Sequence, residues 1–475
     1  MGVQTPIYDF LINYKKTDKV SFHMPGHKES DLFIRYGYGE FLKDLMDYDI
    51  TEIYGADNLY HAETIIKEGQ ERYAKLYGSK ESFYLINGTT AGILAAILSS
   101  VKRGGQLIMA RNSHKAVFNA LRLGDIQPVY IYPEIIEGFN ISGAIEPKEI
   151  ENTILNNPEA QAVILPSPNY YGVCSDIKSI ADMVHRYNKI LIVDEAHGAH
   201  LKFSDKLPAA AIDSGADIVI NSIHKTLASF TQSAVLHVNS ERVDIENLKD
   251  KLQLVQSTSP SYLLMASLDI CAGIMHQDGE KLVDQLADNI DLFYDKVQDI
   301  EGLKVMKSED IGCRFDKTKI NIDLTQIGLT GSQVDRLLRE EHNIYMELVS
   351  TNLVMALTGI GNSKGDFEQL AEALLKIKEK HGTNKRIHTP EIFFEKPEQM
   401  ALPIETLEQH KEWVPLDASI GSVCATSVIP YPPGIPLICP GERISEKAVE
   451  YLKALENTEI KILGLNSKGE IQRVW

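Results

Sequence analysis

The stretch Asp217-Ile218-Val219-Ile220-Asn221-Ser222-Ile223-His224-Lys225-Thr226-Leu227 turns from apolar to polar within a few residues. Asp217 to Ile220 read as a buried strand, and a polar cluster with one Lys follows at its end. Hydroxyl side chains flank that Lys on both sides: Ser222, Thr226, Ser229 and Thr231. Hydroxyls and His224 beside Lys225 suit an anionic group, such as a phosphate, held near a reactive amine. A Lys desolvated at such a place can lose its proton and form a Schiff base with an aldehyde. On its own the stretch fits a surface turn with a solvated Lys as well.

One strand–helix–strand unit upstream, Lys189-Ile190-Leu191-Ile192-Val193 is apolar and ends in Asp194-Glu195-Ala196-His197-Gly198. It reads as a strand delivering a carboxylate at its C-terminal end, the edge where open α/β sheets hold ligands. A carboxylate so placed before a Schiff-base Lys is what pyridoxal phosphate (PLP) requires, because its pyridine nitrogen must stay protonated to draw electrons from a substrate. Asp194 alone also reads as a helix N-cap. With Lys225 the pair points to PLP.

Further upstream, Ser82-Phe83-Tyr84-Leu85-Ile86 predicts a strand, and Asn87-Gly88-Thr89-Thr90-Ala91-Gly92 opens into a helix over Ile93 to Val101. Free N–H groups at a helix start favour an anion, and the hydroxyls of Thr89 and Thr90 add to them; Thr is also a common N-cap. A strand at Gln106 to Met109 leads into Arg111-Asn112-Ser113-His114-Lys115. His114 falls on the same sheet edge as Thr89 and Asp194, where its ring can stack on a flat cofactor or simply cap a helix. Strands at 129–132 and 162–165, the latter followed by the rigid Pro166 to Gly172 loop, continue an alternation that predicts a doubly wound, mainly parallel sheet. Near the N-terminus, Ser21-Phe22-His23-Met24-Pro25-Gly26-His27-Lys28 forms a polar Pro-Gly turn. It reads as a connector in preference to an arm reaching the site.

Downstream, Ser257-Thr258-Ser259-Pro260 starts an apolar helix over Leu263 to Ile274, or offers a phosphate contact to a neighbouring subunit. A separate amphipathic helix is expected over about 277–300, then a smaller α/β unit ending in a helix over Asp366 to His381. A polar hinge from Gly382 to Pro390 precedes a Pro-rich tail, Ile429-Pro430-Tyr431-Pro432-Pro433-Gly434-Ile435-Pro436, that ends near Glu442. Glu442 is either structural or a contact for a cationic substrate. The expected divisions are an N-terminal arm (1–50), a PLP-binding domain (51–275), a small α/β domain (276–382) and a C-terminal domain (383–475).

The 475 residues carry a net charge of −18, which argues against nucleic acid as a partner. Five scattered cysteines, Cys174, Cys271, Cys313, Cys424 and Cys439, form no CxxC or zinc spacing and read as reduced thiols of a cytoplasmic protein without a metal. No signal segment opens the chain, and no apolar run is long enough for a bilayer.

Taken in order, these motifs resemble the Orn/Lys/Arg decarboxylase family of PLP fold type I, the aspartate aminotransferase-like fold. The resemblance runs nearly end to end and is strongest at His23 to Lys28, Asn87 to Thr90, Arg111 to Lys115, Asp194 to Gly198, Ser222 to Lys225, Ser257 to Pro260 and Tyr431 to Pro436. It implies α-decarboxylation of a basic amino acid: arginine first, giving agmatine on a route to polyamines, then lysine or ornithine. By the same resemblance Lys225 would carry the PLP, Asp194 would pair with its ring nitrogen, and His114 would stack on the ring. Gly88, Thr89, Thr90, Ser222 and His224 would hold the phosphate, with Ser257 reaching in from a partner subunit. His197 would border the ring, although some members carry Trp there. Lys225 or His224 would return the proton to Cα, and Glu347 and Glu442 would meet the distal cation. The motif at His23 to Lys28 lies so near the N-terminus that the chain resembles the compact members from Gram-positive bacteria. A homodimer or dimer of dimers, with its active site between subunits, is therefore expected. Transamination or retro-aldol cleavage on the same fold is the second reading, and a catalytically silent PLP-binding homologue the third.

Overall fold

The computed structural model describes residues 5–383, 385–388, 396–431, 434–456 and 460–474. Seven strands form the large sheet: β1 (Glu81–Leu85), β2 (Gln106–Ala110), β3 (Gln127–Ile131), β4 (Ala160–Pro166), β5 (Ile190–Asp194), β6 (Ile218–Asn221) and β7 (Ala234–Val238). Their order across the sheet is β1-β7-β6-β5-β4-β2-β3. Strands β3, β2, β4, β5 and β6 run parallel, and β7 is antiparallel to both its neighbours, β6 and β1. The sheet is thus mainly parallel, as its alternating strands and helices predict. Every strand between the edges is covered on both faces, so the strands read as apolar runs. The period of two still sorts their side chains. Leu191, Val193 and Val219 join one core, while Ile192, Ile218 and Ile220 join the other.

All the strands that precede site residues end at one edge. The helix Gly88–Ser100 leaves β1 there, Lys115–Gly124 follows β2, and a single turn, Ile223–Thr226, follows β6. The first of these starts five residues earlier than expected, because Gly88 takes a left-handed φ of +70° that turns the chain straight from strand to helix.

The smaller sheet is antiparallel, with order Lys304–Val305, Lys319–Asp323, Leu353–Leu357, Leu348–Val349. The strand at Leu353–Leu357 was not anticipated from sequence, although it is a buried run of five apolar residues. Helices Gly331–His342 and Lys364–His381 pack on this sheet. The two helices expected over 263–274 and 277–300 are one element, Tyr262–Val297, bent where Asp278 leaves helical geometry (φ −136°, ψ 20°). A boundary at 275/276 therefore falls inside a helix: Leu268 and Met275 pack in the large-domain core, Leu286 and Phe293 in the small one.

The N-terminal arm is sewn into the small domain. Val20–Phe22 pairs in parallel with Ile344–Met346, and Val20 and Phe22 are buried in the small-domain core. At the other end of the chain, Lys411–Val414, Ile471–Val474 and Val423–Cys424 form a three-stranded antiparallel sheet with its own core. Within the hinge predicted at Gly382 to Pro390, Asn384, Thr389 and Pro390 lie outside the described residues, as do Pro432 and Pro433 of the Pro-rich tail.

Candidate functional site

A cavity of about 360 Å³ opens at the C-terminal edge of the large sheet. Its wall contains Gly88, Thr89, Thr90, His114, Asp194, His197, Ser222, His224 and Lys225, residues from four separate strand ends. They arrive by one device: a strand stops at this edge, and its last residue, as at Asp194, or the first turn after it carries the polar side chain.

Lys225 Nζ opens onto this cavity and lies 2.9 Å from His197 Nε2. Burial pulls the Lys225 amine below its ordinary range, with Asp194 and Glu347 pulling back. Burial also holds His197 well below the usual imidazole value, and the Lys225 and Lys319 cations add to this. The imidazole is thus neutral and its Nε2 is available to the amine. Its other nitrogen, Nδ1, is buried without a partner. The Tyr170 ring packs 4.7 Å from the His197 ring, which sets the imidazole's tilt.

Asp194 is buried, and its Oδ1 accepts the Ala196 N–H at 3.2 Å. Burial raises its carboxyl, opposed by Lys225. Such a carboxylate is well matched to a pyridinium N–H, which would relieve its desolvation. His114 caps the helix Lys115–Gly124, its Nδ1 accepting the Ala116 N–H at 3.2 Å. The capping reading holds, and the residue also lines the cavity. Dense protein around that ring lowers its pKa to about 4, with Lys225 and Lys115 contributing.

At the phosphate end, Ser222 Oγ donates to Thr89 Oγ1 at 3.2 Å, joining the turn before Lys225 to the start of Gly88–Ser100. His224 is fixed by a 2.9 Å contact from its Nδ1 to the Ser233 carbonyl. Burial lowers its pKa to about 4. The helix N-terminus, three hydroxyls and a Lys able to bond an aldehyde fit PLP's phosphate and carbonyl, and Asp194 fits its ring nitrogen. Asn112 adds to this fit: it is buried, lines the cavity, and its Oδ1 has no hydrogen-bond partner. Among the described residues no group of three or more His, Cys, Asp or Glu is arranged to hold a metal ion. No helix among them is long and apolar enough to cross a membrane.

Three sequence expectations need correction or relocation. Glu442 does not face the cavity. It is fully buried, and its Oε2 accepts from Arg111 Nη2 at 3.0 Å and from the Cys439 N–H at 2.7 Å. Ser257 sits on an exposed turn of its own chain, its N–H on Asn87 Oδ1 at 3.3 Å and its hydroxyl on the Ser259 carbonyl at 3.4 Å. It does not line the cavity of its own chain. The connector reading of His23 to Lys28 also fails. Met24 lines the cavity, and the Gly26 N–H donates to the His224 carbonyl at 2.7 Å. Glu347 lies just behind the wall. Its Oε2 accepts the Met24 N–H at 2.9 Å and its Oε1 the Tyr170 hydroxyl at 3.0 Å.

Sequence reasoning missed Met24, Asn112, Tyr170, Gln232, Tyr431, Gly434 and Ile435 as wall residues. Asn112 was the most findable, because it stands in the Arg111 to Lys115 motif beside His114. Tyr431 and Ile435 come from the C-terminal unit, and only tertiary docking brings them in. Arg111 performs that docking. Its guanidinium donates to the carbonyls of Pro436 at 2.5 Å and Leu437 at 3.0 Å as well as to Glu442. It lies 5.4 Å from the ring centroids of both Phe118 and Tyr130.

Comparison with known proteins places this architecture. The family model described as Orn/Lys/Arg decarboxylase, major domain, matches residues 5–320, and its C-terminal domain model matches residues 388–471. The arginine decarboxylase of Bacillus subtilis (strain 168) is 32% identical over 458 residues, covering 94% of this chain and 93% of that protein. Among solved structures, the lysine decarboxylase of Francisella novicida superposes with a TM-score of 0.76 at 22% identity, over 99% of this chain and 81% of that one. An alanine–glyoxylate aminotransferase from Nostoc sp. superposes with a TM-score of 0.58 at 15% identity, over 79% of this chain and 97% of that one.

Proposed function

The chain belongs to the Orn/Lys/Arg decarboxylase family, and from that premise we propose that it converts L-arginine to agmatine and CO₂. The cofactor of the family is PLP, and the residues around Lys225 fit it. The observation that carries the reading is Lys225, its proton affinity depressed, in one cavity with buried Asp194. When bound, PLP supplies the electron sink into which the bond to the departing carboxylate empties.

The chain's own residues prepare this chemistry. Asp194 holds a proton at the ring nitrogen. His114, neutral and flat, covers one face of the ring and keeps water from it. The start of Gly88–Ser100, with Thr89, Thr90 and Ser222, fixes the phosphate. Lys225 carries the proton for Cα, and His197, 2.9 Å away, takes or returns it; His224 is tied to Ser233 and is the poorer donor. Glu347, reached past Met24 and Tyr170, supplies the negative charge that a distal guanidinium meets. Two chains assemble, Ser257 of each turning toward its partner's phosphate site, and the product enters polyamine synthesis in the cytoplasm.

Arginine is favoured over lysine by the 32% identity to an arginine decarboxylase along nearly the whole chain, against 22% to a lysine decarboxylase. The test is a product assay. Purified protein with added PLP is given arginine, lysine and ornithine separately, and CO₂ and amine are measured. Agmatine from arginine alone is expected. Cadaverine or putrescine as main product would replace the substrate, and amino transfer without CO₂ would replace the reaction.

A further inference from the structure

Beneath His197 lies a group of charges that the reaction as described does not use. Lys319, the first residue of the strand Lys319–Asp323, is completely buried, and so are Asp316 and His200. Lys319 Nζ donates to Asp316 Oδ2 at 2.5 Å, to Thr318 Oγ1 at 3.0 Å and to the backbone carbonyl of His197. Asp316 Oδ1 accepts the Thr318 hydroxyl at 2.7 Å and faces His200 Nε2 at 3.2 Å. A Lys with no water and one counter-ion is costly to bury, and replacing such a pair with apolar side chains is often neutral or stabilising. Fold stability alone therefore gives little reason for this ion pair. Its geometry gives another. The ammonium belongs to the small domain, and the carbonyl it grips belongs to the loop that carries His197 from the large one. That residue's imidazole sits on Lys225 Nζ. The carbonyl grip and the Tyr170 ring hold His197 from two sides.

We propose that Lys319 is a positioning residue for the Lys225 centre: with Asp316 as its counter-ion, it pins the His197 backbone so that the imidazole stays on the amine. The proposal rests on Lys225 as the PLP-bearing residue, which loss of the PLP visible band in Lys225→Ala tests separately. Because Lys319→Met alone strands a buried carboxylate, the main variant is the charge-balanced pair Lys319→Met/Asp316→Asn. It should fold, bind PLP and keep KM for arginine within about twofold, while kcat falls by about ten- to a hundredfold through misplacement of the imidazole. Release of PLP into cofactor-free buffer should quicken by about tenfold. In a His197→Gln background the same pair should cause no further loss, because the residue it positions is gone.

Unchanged kcat and PLP release in the folded pair would overturn the proposal. So would losses that multiply fully in the His197→Gln background, or a charge-balanced pair that fails to fold. If the wild type loads PLP but decarboxylates none of the three amino acids, the functional reading fails; PLP release and its dependence on His197 then decide this proposal alone.

Discussion

Glu195, immediately after Asp194, shows how one residue couples the stability of the fold to pH. It is buried, with Oε1 accepting the Ala211 N–H at 2.7 Å and Oε2 accepting from Asn221 Nδ2 at 3.0 Å. Burial pushes its carboxyl up to about 8, against 4.5 for a free Glu, despite those two bonds. The folded protein holds the proton more tightly than the unfolded one. Stability from this group is therefore complete below about pH 4.5 and is lost as pH rises toward 8. Every tenfold gain in proton affinity on folding is worth about 1.4 kcal/mol. Glu195→Gln keeps the shape without the titration. Its melting temperature relative to wild type should rise steadily between about pH 5 and 8; a difference that stays flat would mean Glu195 does not hold its proton. Residues of this kind could be found from sequence by position, not by state. Asp194 and Lys225 declared themselves because one ends an apolar strand and the other stands in the turn just after one. Glu195 and Lys319 are equally buried, yet nothing in their neighbours' identities says so.

At the scale of elements, the Pro25-Gly26 turn is wedged backbone to backbone against the turn bearing Lys225. A Cβ on Gly26 would lie 2.4 Å from the Thr226 carbonyl carbon and 2.7 Å from the Leu227 oxygen. The small domain closes from the other side, where the Gly361 N–H donates to the Gly26 carbonyl at 3.0 Å. Gly26→Ala must push one of these backbones aside. It should destabilise the protein by about 1–3 kcal/mol and lower kcat by about tenfold or more through displacement of Lys225, seen by thermal melting and steady-state assay. Full activity in the variant would show that the arm merely covers the site. The strand–helix alternation of the large domain was legible, because buried parallel strands are apolar runs and helix starts carry their caps. The contact at Gly26 was not. Its information lies in the lack of a side chain, and a glycine in a loop has the same letter whether it faces solvent or a backbone.

For the whole molecule, the Arg111–Glu442 pair is the joint between the C-terminal unit and the sheet. Both side chains are nearly or fully buried, at 4% and 0% exposure, so the joint has no water to fall back on. Arg111→Met should cost about 3–5 kcal/mol, because it strands the Glu442 carboxylate, and Arg111→Met/Glu442→Leu should recover much of it. The double variant should still show a raised KM for arginine, since the segment bearing Gly434 and Ile435 loses its anchor at the Pro436 and Leu437 carbonyls. Equal KM in the two proteins would remove the C-terminal unit from substrate binding. Sequence left Glu442 as either structural or a substrate contact, and the family resemblance put it at the distal cation, because a carboxylate after a rigid loop looks available. Its actual partner lies more than three hundred residues earlier in the chain, at Arg111.

That separation has a consequence during synthesis. Translation proceeds from the N-terminus, and the large sheet can assemble once β7 has emerged. Lys225 then still lacks Tyr431, Gly434 and Ile435 of its cavity wall. Val20–Phe22 must wait for Ile344–Met346, Gly26 for Gly361, and Arg111 for Pro436, Leu437 and Glu442. A nascent chain on the ribosome therefore carries most of the cavity wall before the segments that clamp it, Gly361 and the Tyr431 to Leu437 stretch, have been made.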